Sequence, residues 1–105
     1  MHSTIDVAAR VDCLFDDGEY YRGSVAAANA DGTYRIVFDD GDIRHDAPLS
    51  DLLSPLLPGT RVSCYFPSEA DYFPGVIGAD NGDGTYHIRY DDGDELESAS
   101  RRDIR

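Results

Sequence analysis

Aromatic rings and carboxylates gather in one stretch of this chain. Tyr65, Phe66, Tyr72 and Phe73 stand close together, and Tyr90 runs directly into Asp91-Asp92-Gly93-Asp94. Rings placed beside a carboxylate make an electron-rich pocket. Such a pocket attracts an alkylated ammonium by cation–π contact, worth ~0.5–2 kcal/mol per interaction. The methyl groups bury at little cost, and a neighbouring Asp accepts a hydrogen bond from any remaining N–H. That favours mono- or dimethylammonium, because a trimethyl group has no proton to donate.

Other chemistry has less behind it. His2, His45 and His87 occupy unrelated contexts, and no nucleophile elbow or phosphate-cradling glycine loop is present. The chain therefore does not read as an enzyme, and no cofactor is implied. Ala79 to Tyr90 superficially resembles a calcium loop, but the frame set by Gly84 puts Ala79 and Tyr90 where carboxylates are required. A polar hairpin turn is the simpler reading. Cys13 and Cys64 lack any metal-ligand spacing and read as reduced, buried packing residues.

The element order comes from an internal repeat. A shift of 52 positions lays Asp31-Gly32-Thr33-Tyr34 on Asp83-Gly84-Thr85-Tyr86 and Phe38-Asp39-Asp40-Gly41-Asp42 on Tyr90-Asp91-Asp92-Gly93-Asp94. Between positions 17 and 53, 15 of 37 aligned pairs are identical, which marks a tandem duplication. Nearer the front the shift is 51, matching Arg10-Val11-Asp12-Cys13 to Arg61-Val62-Ser63-Cys64, so the second copy has one extra loop residue before Tyr72.

Each copy reads as β. Strands are expected over 11–15, 20–28, 33–38 and 43–45, with 49–53 as a closing turn or fifth strand. The second copy repeats them over 62–66, 72–79, 85–90 and 95–97. The Asp-Gly pairs supply hairpin turns, and Gly23 within a strand marks a bulge or sharp bend. No stretch carries the 3.6 periodicity of a helix. Short strands separated by turn signals fit a small, strongly bent barrel, so the expected fold is all-β, two tandem five-stranded barrels. The expected domains are 1–53 and 60–105, joined by a proline-stiffened linker, 54–59. Leu52, Leu53, Leu56 and Leu57 read as an inter-barrel contact. Tyr34 and Tyr86 read as packing residues.

Composition narrows the partners. The 105 residues hold nine basic and 21 acidic side chains, a formal charge of −12, and every cation is Arg. Such a surface repels the phosphate backbone, so direct nucleic-acid binding is not expected. It attracts basic partners over long range. No apolar run approaches the ~20 residues of a membrane span, and residues 1–6 show no secretory signal.

The motif order resembles a Tudor domain in both halves. The first half carries Tyr20-Tyr21-Arg22-Gly23, then Asp31 to Asp42, then Leu49 to Leu53. The second carries Tyr72-Phe73-Pro74-Gly75, then Asp83 to Asp94, then Arg102 to Arg105. Tudor domains are SH3-like barrels that often bind methylated lysine or arginine in an aromatic cage. In the second copy the resemblance makes Tyr65, Phe73 and Tyr90 the walls and Asp92 the cage acid, with Asp94 replacing a further aromatic. In the first it selects Tyr21, Phe38 and Asp40. There Leu14 stands at the first wall, leaving that cage incomplete unless Phe15 turns in. The methylarginine-reading members carry an Asn beyond the third strand, where this chain has Ile43 and Glu95, so lysine is the better match. The resemblance implies a nuclear module that binds a basic peptide such as a methylated histone tail, and the chain is expected to be part of a larger protein. The rival expectation is an acidic interaction scaffold indifferent to methylation.

Overall fold

A computed structural model of the chain describes residues 5–105. His2 and most of the stretch read for a signal lie outside the described residues. The chain divides into two compact units, Met1–Pro55 and Leu56–Arg105. Among the described residues all regular structure is β apart from two single 3₁₀ turns.

The first unit contains β1 (Arg10–Leu14), β2 (Tyr20–Ala28), β3 (Tyr34–Phe38), β4 (Ile43–Ala47) and β5 (Leu52–Leu53), with a 3₁₀ turn over Leu49–Asp51. They form one antiparallel sheet in the order β4-β3-β2-β1-β5. The second unit contains β6 (Arg61–Phe66), β7 (Asp71–Asp80), β8 (Thr85–Tyr90) and β9 (Glu95–Ser100), in sequential antiparallel order. Its fifth strand is reduced to a single bridge, Cys64 to Ile104, after a 3₁₀ turn over Arg101–Asp103. β4 and β9 run longer than the sequence suggests, because Ala47 and Ala99 pair with Tyr34 and Tyr86 and are buried.

The duplicated motifs do the same local work in each unit. The Asp31 carboxylate accepts from the backbone N–H and hydroxyl of Thr33, at 3.0 and 2.6 Å, and Asp83 does so with Thr85 at 2.9 and 2.6 Å. These bonds close the β2–β3 and β7–β8 hairpins. Register shifts fall at the same place in β2, between Val25 and Ala27, and in β7, between Ile77 and Ala79.

Gly23 and Gly75 have a steric role. A Cβ on Gly75 would lie 2.7 Å from the Arg89 carbonyl oxygen and 3.0 Å from the Tyr90 Cα; on Gly23 it would lie 2.8 Å from the Val37 oxygen. The second and third strands of each unit thus approach where only glycine fits.

Each unit has its own core. Val11, Cys13, Val25, Tyr34, Ile36, Phe38, Ala47 and Leu52 form the first. Cys64, Ile77, Tyr86, Ile88, Tyr90, Ala99 and Ile104 form the second, with Leu56 packed against it. Leu52 and Leu56, grouped in sequence as one hydrophobic seam, therefore each serve the core of their own unit. Leu57 is exposed. Tyr34 and Tyr86 are core residues, and the Tyr86 hydroxyl accepts from the Leu56 N–H at 3.0 Å. The first unit also buries an ion pair, Arg22 Nε to Asp12 at 2.7 Å, whose counterparts in the second are Pro74 and Ser63.

Candidate functional site

Strand alternation decides which rings meet. Side chains directly opposite on paired strands share a face, and every second residue returns to it. In the second unit Cys64 pairs with Phe73 and Gly75 with Tyr90. Cys64 is buried, so its face is the inner one, and Phe66, two residues on, lies on that face too. Phe66, Phe73 and Tyr90 converge at the strand ends. The Phe66 ring centroid is 6.5 Å from Phe73, at 83°, and 5.1 Å from Tyr90, at 57°.

These three rings, with Glu69, Asp92 and Asp94, line a pocket of about 270 Å³. Of the expected residues, Phe73, Tyr90, Asp92 and Asp94 come together there. Tyr65 does not. It pairs with Tyr72 on the opposite face, their ring centroids 5.5 Å apart, and the Arg105 guanidinium lies 3.7 Å over the Tyr72 ring. Phe66 takes the place assigned to Tyr65.

The first unit builds the same arrangement. Phe15, Tyr21 and Phe38, with Asp17, Asp40 and Asp42, line a pocket of about 160 Å³. Phe15 lies 5.9 Å from Tyr21 and 5.4 Å from Phe38, nearly perpendicular to both. All four residues expected there are present. Leu14 pairs with Tyr20, on the face away from Cys13, so its failure to match an aromatic leaves no gap. All six positions correspond through the repeat shifts: Phe15 to Phe66, Tyr21 to Phe73, Phe38 to Tyr90, Asp40 to Asp92, Asp42 to Asp94 and Asp17 to Glu69, the last with its charge kept.

The loop after each third strand fixes the acids. Asp40 and Asp92 accept from the backbone N–H of Asp42 and Asp94, each at 3.0 Å. The Phe38 N–H donates to the Asp42 carbonyl and the Tyr90 N–H to the Asp94 carbonyl, both at 2.8 Å. The neighbouring Asp39 and Asp91 are held by the paired guanidinium nitrogens of Arg10 and Arg61, which keep both carboxyls below the usual value. Each loop is thereby clamped to the first residue of its unit's first strand. Among the described residues, none of Asp40, Asp42, Glu69, Asp92 and Asp94 is in an ion pair, so their charge stays unneutralised at the pocket rims.

The walls are firmly held. The Tyr90 hydroxyl donates to the Tyr65 carbonyl at 3.1 Å, and burial pushes its phenol well above the ordinary range. Tyr21 donates to Asp17, and that bond raises its phenol. Tyr90 and Phe38 are only 5% and 3% exposed, so they form the pocket floors while the other rings form the sides.

The sequence reading placed Asp42, like Asp94, where the family has a further aromatic, but it missed Phe66, Glu69 and Asp17 as pocket residues. Phe66 was within reach, being two residues beyond a buried cysteine. Nothing in the pattern places Asp17 or Glu69, whose position depends on loop conformation.

No known protein-family model matches this chain, and no curated protein matches it.

Proposed function

We propose that the chain is a tandem Tudor-like module, two SH3-like barrels, that binds a basic peptide bearing methylated lysine, such as a histone tail. The observation that carries this reading is the pocket built twice. Three rings and three acids recur at corresponding positions, although Tyr21 is replaced by Phe73, Phe38 by Tyr90 and Asp17 by Glu69 in the second copy. Residue identity has drifted and residue class has not. Core packing alone accounts for buried rings, but not for three carboxylates around each of them.

The chemistry suits an alkylated ammonium. The ring faces supply cation–π attraction and the methyl groups bury against them. Asp40 and Asp92 spend one oxygen on the loop and present the other to an N–H. The −12 charge steers a cationic tail and leaves nucleic acid a poor ligand. On this reading the protein works on chromatin, in the nucleus.

Calorimetric titration of methylated and unmodified histone-tail peptides tests it. Methylated lysine should bind measurably more tightly, and Phe73→Ala should weaken that preference in the second unit. Phe73 is partly buried and packs against the second core, so the thermal midpoint of this variant is measured alongside to show that the unit stays folded. The small exposed area of Tyr90 and Phe38 favours a second reading, an acidic scaffold that docks basic proteins. In that case removing the methyl groups would leave the affinity unchanged.

A further inference from the structure

The two pockets share a plan but not a size. The loop between Phe15 and Tyr20 has four residues, and the one between Phe66 and Tyr72 has five. In the shorter loop Asp17 is pinned: one carboxylate oxygen accepts from the Glu19 N–H at 2.9 Å and the other from the Tyr21 hydroxyl. The acid is thereby tied to one of the pocket's own rings. In the longer loop Ala70 adopts a positive φ of 54°, and the N–H groups of Glu69 and Ala70 both donate to the Phe66 carbonyl. Glu69 is one methylene longer than Asp17, and Phe73 has no hydroxyl to hold it. Among the described residues the Glu69 carboxylate has no hydrogen-bond partner. The first pocket is the smaller, about 160 Å³, with its acid held by two bonds, and the second the larger, about 270 Å³.

We infer that the two units prefer different methylation states. The first takes the smaller ammonium ions, monomethyl and dimethyl, and the second accepts trimethyl. This rests on the methyl-ammonium reading above. Each methyl group that fits and buries against the rings gains roughly fourfold in affinity. A methyl group that does not fit must displace a ring or break the Tyr21–Asp17 bond. The gain should thus continue to trimethyl in the second unit and reverse before it in the first. Loss of the last N–H weakens trimethyl binding at Asp40 and Asp92 alike, so it does not alter the contrast.

The test uses the full chain and the mono-, di- and trimethylated forms of an N-acetyl-lysine amide, with unmodified N-acetyl-lysine amide as control. Two-dimensional NMR follows the backbone amides of Asp42 and Asp94, one beside each pocket, and so reads both sites at once. The trimethyl-to-dimethyl affinity ratio should be at least about fourfold higher at Asp94 than at Asp42. Tyr21→Phe, which removes the bond tying Asp17 to the pocket ring and leaves the ring in place, should raise the ratio at Asp42 without changing it at Asp94. An equal ratio at both amides would overturn the selectivity inference while leaving methyl-ammonium binding intact. If only one amide responded to the series, the inference of two complementary sites would fail. A response at neither amide, or one equal to that of unmodified lysine, would overturn the methyl-ammonium reading and this inference with it.

Discussion

Replacing Gly75 by Ala tests how the strands carry the second pocket. The added Cβ would stand 2.7 Å from the Arg89 carbonyl oxygen, 3.0 Å from the Tyr90 Cα and 3.2 Å from the Arg89 carbonyl carbon. All three are backbone atoms. The closest is about 0.7 Å short of the 3.4 Å at which ordinary contact begins. No side-chain rotation relieves that, so β7 and β8 must separate at the residue that forms the pocket floor. Overpacking of this kind costs ~1–3 kcal/mol. Gly78, three residues along the same strand, supplies the control. Its Cβ would meet Arg89 Cδ at 2.9 Å, the far part of a flexible side chain that can swing away. Alanine also loses less chain entropy on folding than glycine, so Gly78→Ala should stay within ~1 kcal/mol of the parent. Urea denaturation of the full chain reads both, with the second unit followed by the NMR signals of its own backbone amides. Methylated-peptide binding at the Asp94 amide should weaken in Gly75→Ala and persist in Gly78→Ala. Equal destabilisation by the two variants, or a harmless Gly75→Ala, would refute the claim that backbone approach at this point shapes the site.

Three further expectations concern the scaffold. Arg22→Met removes the buried Arg22–Asp12 ion pair and should destabilise the first unit by ~3–5 kcal/mol, whereas Asp12→Ser/Arg22→Met should cost much less; a urea double-mutant cycle measures the difference. Asp39 and Asp91 are held below the ordinary carboxyl value of 3.8 by Arg10 and Arg61, so their contribution to stability is present above that value and fades as pH falls through the depressed ones. Thermal midpoints between pH 2 and 6 should therefore fall less steeply on the acid side in Arg10→Ala/Arg61→Ala, and the effect should shrink in salt because both pairs are about half exposed. Burial raises the Cys13 thiol to about 11, so its alkylation at pH 8 should proceed only as fast as the unit opens, while urea-unfolded protein should react at once.

The duplication made much of the architecture readable. Two copies of Asp-Gly-Thr-Tyr and of aromatic-Asp-Asp-Gly-Asp place the same hairpins in the same order, because Asp31, Asp83, Asp40 and Asp92 each bond to their own turn backbone. Phe73, Tyr90, Asp92 and Asp94 could be grouped because Phe73 lies near the start of one strand, Tyr90 ends another and the two acids lie in the turn that follows, in the motif order that resembles a Tudor domain. Tyr65 was misplaced by one residue, and in a strand one residue reverses the face. The buried Cys64 would have set the parity. Leu52 and Leu56 were harder to place: apolar residues on either side of a short linker look continuous in sequence, and each packs with the core of its own unit. The fifth strand of the second copy could not be foreseen as a single bridge, because register at a sheet edge depends on contacts that residue pattern does not encode.

The ion pair under the first sheet has a bearing on how a duplicated chain sorts itself. Tandem copies of similar sequence invite strand exchange during folding. A β1 mispaired with β7 would set the Asp12 carboxylate opposite Pro74, and a β6 mispaired with β2 would set Ser63 opposite Arg22. Each hybrid strands a charge that the correct partner would neutralise, so the asymmetry between the halves acts as a proofreading mark. Removing it in Asp12→Ser/Arg22→Met should raise the yield of scrambled species on rapid refolding, seen as early-eluting material in gel filtration, even where equilibrium stability is nearly restored.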